Sequence, residues 1–252
     1  MGGALSSVAG YESQLHLTAL LGNAEALKEL SVRSGESSLF DLLTPHVDAK
    51  TADGTTALII TAAFDHVDSA RVLLGKGADV NATDKFGSHA LIHAASGGHA
   101  ALLKLLLEVK GRRLELANVF DANALWSAAF TGQLECVELL LSAGASTGPS
   151  KKTKSTPLHA AAYTGRIEVV RALLRTGVSD VKDANGLTAF VLAETKGHVE
   201  IADLLRTHER EQAEAAVRAA EEAAAEAARR AANPRGMLGE MRRPLKPGTH
   251  TN

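Results

Sequence analysis

The chain has a single cysteine, Cys136, so it cannot hold an internal disulfide framework and is suited to a reducing compartment. Aromatic residues are scarce: six Phe, two Tyr and one Trp, or 4% of the chain. A core here must be built from small and branched aliphatics, which the 45% hydrophobic content supplies. Neither charge sign is in excess, with Lys and Arg at 27, Asp and Glu at 29 and a net charge of −2. That balance argues against a general nucleic-acid binder. No apolar run approaches the roughly 18 residues of a membrane span. No basic segment precedes an apolar run at the N-terminus, so no secretory signal is expected. There is no nucleophile elbow, no phosphate loop and no pair of catalytic carboxylates, so neither an enzyme nor a cofactor is expected. His89 and His93 have the spacing of two ligands on one helical face, but a third ligand is missing and no metal is expected.

What the chain does contain is periodicity. From Ser155 to Gly177 it reads STPLHAAAYTGRIEVVRALLRTG. Thr156-Pro157-Leu158-His159 opens a short helix, three alanines keep its packing face narrow, and Gly165 stops it. Ile167, Val169, Val170, Leu173 and Leu174 then mark a second helix, which Gly177 closes. Equivalents of Leu158 occur at Leu58, Leu91, Leu125 and Phe190, in steps of 33, 34, 33 and 32 residues. Seven residues after each comes a turn residue: Asp65, Gly98, Gly132, Gly165, Gly197. A period near ~33 with a TPLH start marks a helix–turn–helix array. Cys136 falls on an inward helical face and reads as core rather than nucleophile.

On these motifs, and on Gly77-Ala78-Asp79-Val80-Asn81-Ala82 between two of the units, the chain resembles the ankyrin repeat family over residues 12–208. The resemblance implies an all-α solenoid of about six helix–turn–helix repeats with short hairpins. It departs from the family in places. Among the four central repeats only Thr156 to His159 is a complete TPLH, and the other three lack the His that braces the hairpin. Asp121 and Lys154 stand where three other hairpins have Gly54, Gly87 and Gly186, which predicts longer or looser hairpins there.

The ends read differently. Residues 1–11 are expected to be a flexible leader, and their Met-Gly-Gly-Ala-Leu-Ser start matches the pattern for myristoylation of Gly2. A diverged first repeat starts near Leu15 and carries an insertion over 34–45. Residues 209–232 are Ala-rich and predict a solvated helical extension of the last repeat. Residues 233–252 predict a disordered basic tail.

The resemblance also implies where a partner binds: on the hairpin tips and the exposed ends of the first helices. Those places hold Phe64, Phe130 and Tyr163 at helix ends and Phe86 and Phe120 at hairpins, five of the few aromatics. Lys152, Lys154 and Lys196 flank them, favouring a protein partner with an apolar centre and acidic residues to one side. Three readings follow. The first is a monomeric, cytoplasmic scaffold or adaptor. The second is the same module brought to a membrane by a lipid on Gly2. The third is a reader of modified lysine through a cage of Trp126, Phe130 and Tyr163. The run Lys151 to Lys154 also fits a nuclear-import signal.

Overall fold

A computed structural model describes residues 14–32 and 47–232. Gly2 and the leader, the insertion 34–45 and the tail 233–252 lie outside the described residues. Among the described residues twelve helices follow one another in pairs. They are α1 (residues 14–20), α2 (Ala24–Val32), α3 (Ala57–Ala63), α4 (Val67–Gly75), α5 (Ala90–Gly97) and α6 (Ala100–Glu108), then α7 (Ala124–Thr131), α8 (Leu134–Ser142), α9 (Pro157–Thr164), α10 (Ile167–Leu174), α11 (Ala189–Lys196) and α12 (Val199–Ala232). Among the described residues the only β contact is one isolated bridge between Thr83 and His89.

Two compact units divide the chain, the first ending at Leu205 and the second starting at Arg206. This division and the boundary expected at 208/209 both fall inside α12, which runs 34 residues without a break. In the second unit the helix is almost wholly exposed and carries Glu214 between Arg210 (3.0 Å) and Arg218 (3.9 Å).

In the first unit, first helices pack on first helices (α3, α5, α7, α9, α11) and second helices on second helices (α2 through α10). The composition explains the two layers. First helices bury alanines such as Ala62, Ala95, Ala129 and Ala162, which let neighbours approach closely, and each of the middle four buries one leucine (Leu58, Leu91, Leu125, Leu158). Second helices bury the larger residues, among them Leu73, Leu103, Leu140 and Leu173. Each pair has its faces covered only by the next, as in any stacked array.

Caps set where the first helices begin. Side chains of Thr56, Asn123, Thr156 and Thr188 accept the backbone N–H three residues on. His159 adds a reciprocal bond: its Nδ1 accepts the Thr156 N–H (3.2 Å), and its Nε2–H donates to the Leu187 carbonyl of the next hairpin (3.1 Å). The bracing expected to be lost elsewhere is replaced in one repeat. Trp126, at the position of His159, donates its indole N–H to the Ser155 hydroxyl (3.0 Å), one residue before the next cap just as Leu187 is.

The fifth cap position holds His89, which makes no side-chain cap. Its ring is fully buried and neither nitrogen makes a hydrogen bond. Burial pushes its pKa down to about 4; the Arg113 carbonyl opposes this, nearby His93 adds to it and Asp84 opposes it again. The folded state therefore prefers the neutral ring. The unfolded chain takes up the proton first as pH falls below about 6.5, so stability declines between roughly pH 7 and pH 4. His89→Asn, which can cap as Asn123 does, is expected to flatten this limb. The wild-type loss over the window, read by denaturant melts at stepped pH, should exceed the variant's by up to about 3 kcal/mol.

A second ladder joins the pairs. From α4 onward the residue before each second helix reaches back to the preceding repeat. His66 Nε2 meets the Leu20 carbonyl (2.9 Å), His99 that of Ala63 (3.2 Å) and His198 that of Tyr163 (3.3 Å). Facing carbonyls, these nitrogens must carry the proton. The rings of His66 and His198 lie over Gly22 and Gly165, and the Gln133 and Arg166 side chains lie likewise over Gly98 and Gly132. At Gly165, φ is +74° and an added Cβ would come within 2.7 Å of the His198 ring, whereas at Gly177, φ is +78° with open space around it. Both sites penalise a side chain through the backbone, but only the first also displaces a link between repeats. Gly165→Ala should therefore cost about 0.5–1.5 kcal/mol more than Gly177→Ala in urea unfolding.

Candidate partner-binding surface

Five hairpins project from the array, closed by backbone bonds from Thr51 to Thr55, Asp84 to Ser88, Asn118 to Ala122, Ser150 to Ser155 and Asp183 to Leu187. In the second, third and fifth, the first side chain bends the tip by accepting two N–H groups. Asp84 Oδ1 takes those of Phe86 and Ser88, Asn118 Oδ1 those of Phe120 and Ala122, and Asp183 Oδ1 those of Asn185 and Leu187. This turn stands Phe86 and Phe120 outward at equivalent places on adjacent tips. Phe120 is 73% exposed, and Val119 beside it is also exposed.

The hairpin carrying Asp121 is not looser. Asp121 adopts φ +64° in the place of glycine and the loop closes as its neighbours do. The hairpin carrying Lys154 (φ +56°) is longer by one residue.

Adjacent tips are tied by single backbone bonds: Lys85 N–H to the Asp53 carbonyl (2.9 Å), Val119 to Phe86 (2.8 Å) and Ala184 to Thr153 (2.8 Å). Between the third and fourth hairpins a side chain does this work. Asp121 Oδ2 accepts the N–H groups of Lys152 (2.7 Å) and Thr153 (2.9 Å) and the Thr153 hydroxyl (3.3 Å). Sequence reasoning saw Asp121 only as a residue tolerant of positive φ. The further signal was an acid at the junction where the next loop grows longer.

The helix-end rings divide. Phe130 and Tyr163 occupy the same place in α7 and α9 and are both exposed. Phe64, also exposed, is the C-cap of α3, one residue later in the repeat, and stacks on His66 at 6.2 Å. One residue turns a helical side chain by about 100°, so Phe64 leaves the column of the other two. Lys196 does not stand free beside the rings but lies over Tyr163, 4.4 Å from its centroid. Lys152 and Lys154 are exposed on the fourth hairpin.

The three rings named for a cage do not form one. Trp126 and Phe130 stack nearly parallel at 5.1 Å, using their faces on each other, and Lys196 covers Tyr163. Beside Trp126 a cleft of ≈ 420 Å³ opens between the third and fourth hairpins, walled by Pro149 and Pro157 and reaching Asp121, Lys151 and Lys152.

Other candidate chemistry is absorbed by the fold. His93 Nε2 lies 3.2 Å from Asp84 Oδ2. Cys136 is fully buried, and burial, with Glu135 and Asp65 nearby, pushes its thiol up to about 11. Among the described residues no group of three or more His, Cys, Asp or Glu is placed to hold a metal, and no helix is long and apolar enough to cross a membrane.

Burial by itself raises the pKa of Asp121. Hydrogen bonds from the Thr153 N–H, the Ser150 hydroxyl, the Lys152 N–H and the Thr153 hydroxyl outweigh it and hold the carboxyl at about 2. Its stabilisation is complete above about pH 4 and is lost as pH falls through about 2. Asp121→Asn tolerates the same φ but removes the charge. It should cost about 1–2 kcal/mol at neutral pH, and the gap to wild type should close between pH 4 and pH 2 in chemical denaturation.

A family model described as ankyrin repeats (three copies) matches residues 62–151 and 125–216, more than half of the chain. The tyrosine-protein kinase HTK16 of Hydra vulgaris is 33% identical over 152 residues, covering 59% of this chain and 19% of the kinase. Inversin of Mus musculus is 32% identical over 157 residues, covering 62% of this chain and 14% of inversin. The B-cell lymphoma 3 protein homolog of Mus musculus is 31% identical over 113 residues, covering 44% of this chain and 25% of that protein. The matched part is thus a quarter or less of each of these relatives.

Proposed function

The chain belongs to the ankyrin repeat family, whose repeats generally mediate protein–protein interaction, and from that premise we propose that it is a non-enzymatic scaffold or adaptor. It grips its partner with the hairpin tips and the ends of its first helices. One observation carries this reading: Phe64, Phe86, Phe120, Phe130 and Tyr163 are all exposed, on an array whose core is otherwise aliphatic. Large rings left in water beside a well-filled core cost solubility and add no packing, so they favour a contact role. Aromatic anchors carry much of the energy at such surfaces.

A partner captured on the full chain and identified by mass spectrometry supplies the test. Phe130→Ala with Tyr163→Ala should weaken that partner by about 2 kcal/mol or more, roughly thirtyfold in Kd. Stability should fall by no more than the loss of the Trp126–Phe130 stack and the Lys196–Tyr163 contact, about 1–2.5 kcal/mol together. A large fall in stability with unchanged binding would return the rings to a structural role.

A further inference from the structure

The hairpin tips differ from one another in a way that specifies a partner. We propose that they take a protein segment in which an apolar stretch is followed by a run of Asp and Glu. The apolar part lies on the second and third tips and the acidic part on the fourth and fifth. This rests on the reading of the tips as a protein-binding face and gives that face a direction.

The apolar half is built by Phe86, Val119 and Phe120. The Val119 N–H bonds the Phe86 carbonyl, so the two tips abut. All three side chains are exposed, and Lys85, held by Asp53, covers only part of Phe86.

The charged half follows from which groups are already committed. Each tip carboxylate has its own donors. Asp53 pairs with Lys85, Asp84 takes two N–H groups and faces His93, Asp121 takes the Lys152 and Thr153 amides, and Asp183 takes two N–H groups. The cations of the fourth and fifth hairpins are not committed. Lys151, Lys152, Lys154 and Lys182 are exposed, and their ammonium groups pair with no carboxylate among the described residues. Against Asp183, and Asp180 whose carboxylate takes the Ala189 and Phe190 N–H groups, they leave residues 150–155 and 180–187 with a surplus of two positive charges (four Lys less two Asp).

A surface with such a surplus attracts and orients a segment of opposite charge. The cleft beside Trp126 lies at the seam between the halves, bordered by Lys151 and Lys152, with room for one side chain where the apolar stretch gives way to the acidic run. A nucleic acid is disfavoured by the net charge of −2 and by tips that offer apolar rings before any cation.

The test is fluorescence polarisation with the full chain and a labelled peptide: a Leu-Phe-Leu-Phe block, a Gly-Gly spacer and a hexaglutamate block. The control peptide carries glutamines for the glutamates. The acidic peptide should bind at least about tenfold tighter than the control, and the advantage should shrink as salt rises toward about 0.5 M. The K151E/K152E/K154E/K182E chain should lose the advantage, and F86A/F120A should weaken both peptides. Circular dichroism melts check folding, and Lys→Gln at the same four positions replaces the reversal if that variant unfolds. Failure of the acidic peptide to bind, equal binding of the two peptides, or an advantage that survives the lysine changes overturns the proposal. So does tighter binding of an oligothymidine of equal charge or of phosphatidylserine vesicles. If the captured partner is lost with Phe130→Ala and Tyr163→Ala yet is indifferent to the lysine changes, the binding-face reading stands and this proposal alone fails.

Discussion

No helix pair among the described residues can cover its own apolar side chains. The first helices are seven or eight residues long and most of the second helices eight or nine, too short to be stable alone in water. Leu91, Leu125 and Leu173 are shielded only because a further pair stands on each side. Stability is therefore distributed over the junctions between repeats, and the chain's special residues gather there.

Two polar ladders accompany the apolar stacking. One runs along the tips, where a backbone bond or the Asp121 carboxylate joins each later hairpin to the next. The other runs under the first-helix ends, where His66, His99 and His198 bond the last carbonyls of the preceding repeat. A helix end leaves carbonyls without partners inside the helix, and a side chain from the next repeat satisfies one of them. Glycine at the left-handed cap serves both needs: it permits the turn and leaves room for that side chain.

The same economy shapes the surface. With the core filled by Ala and Leu, Trp126 and Phe190 pack only partly buried against it, and the rings at tips and helix ends stay outside. Local partners still tune each one. Trp126 is drawn in by Ser155 and Phe130, Tyr163 is covered by Lys196, and Phe120 is left the most open.

The array was legible in the linear pattern, because a 33-residue period in leucines and turn residues is a direct image of stacking by identical units. The helix starts, the inward placing of Cys136 and the exposure of Phe86, Phe120, Phe130 and Tyr163 were legible for the same reason, since each inherits its place from the repeat frame, whereas Phe64 stands one residue later in it. Three things were not. Trp126 doing the bracing of His159 depends on where Ser155 lies in the next repeat. Asp121 tying the fourth hairpin depends on amides thirty residues away. The committed tip carboxylates, and hence the uncommitted lysines, appear only when hairpins stand side by side. A repeat pattern determines what each unit is and which way its side chains point. The contacts between units are set by distances across the stack, which one-dimensional spacing does not contain.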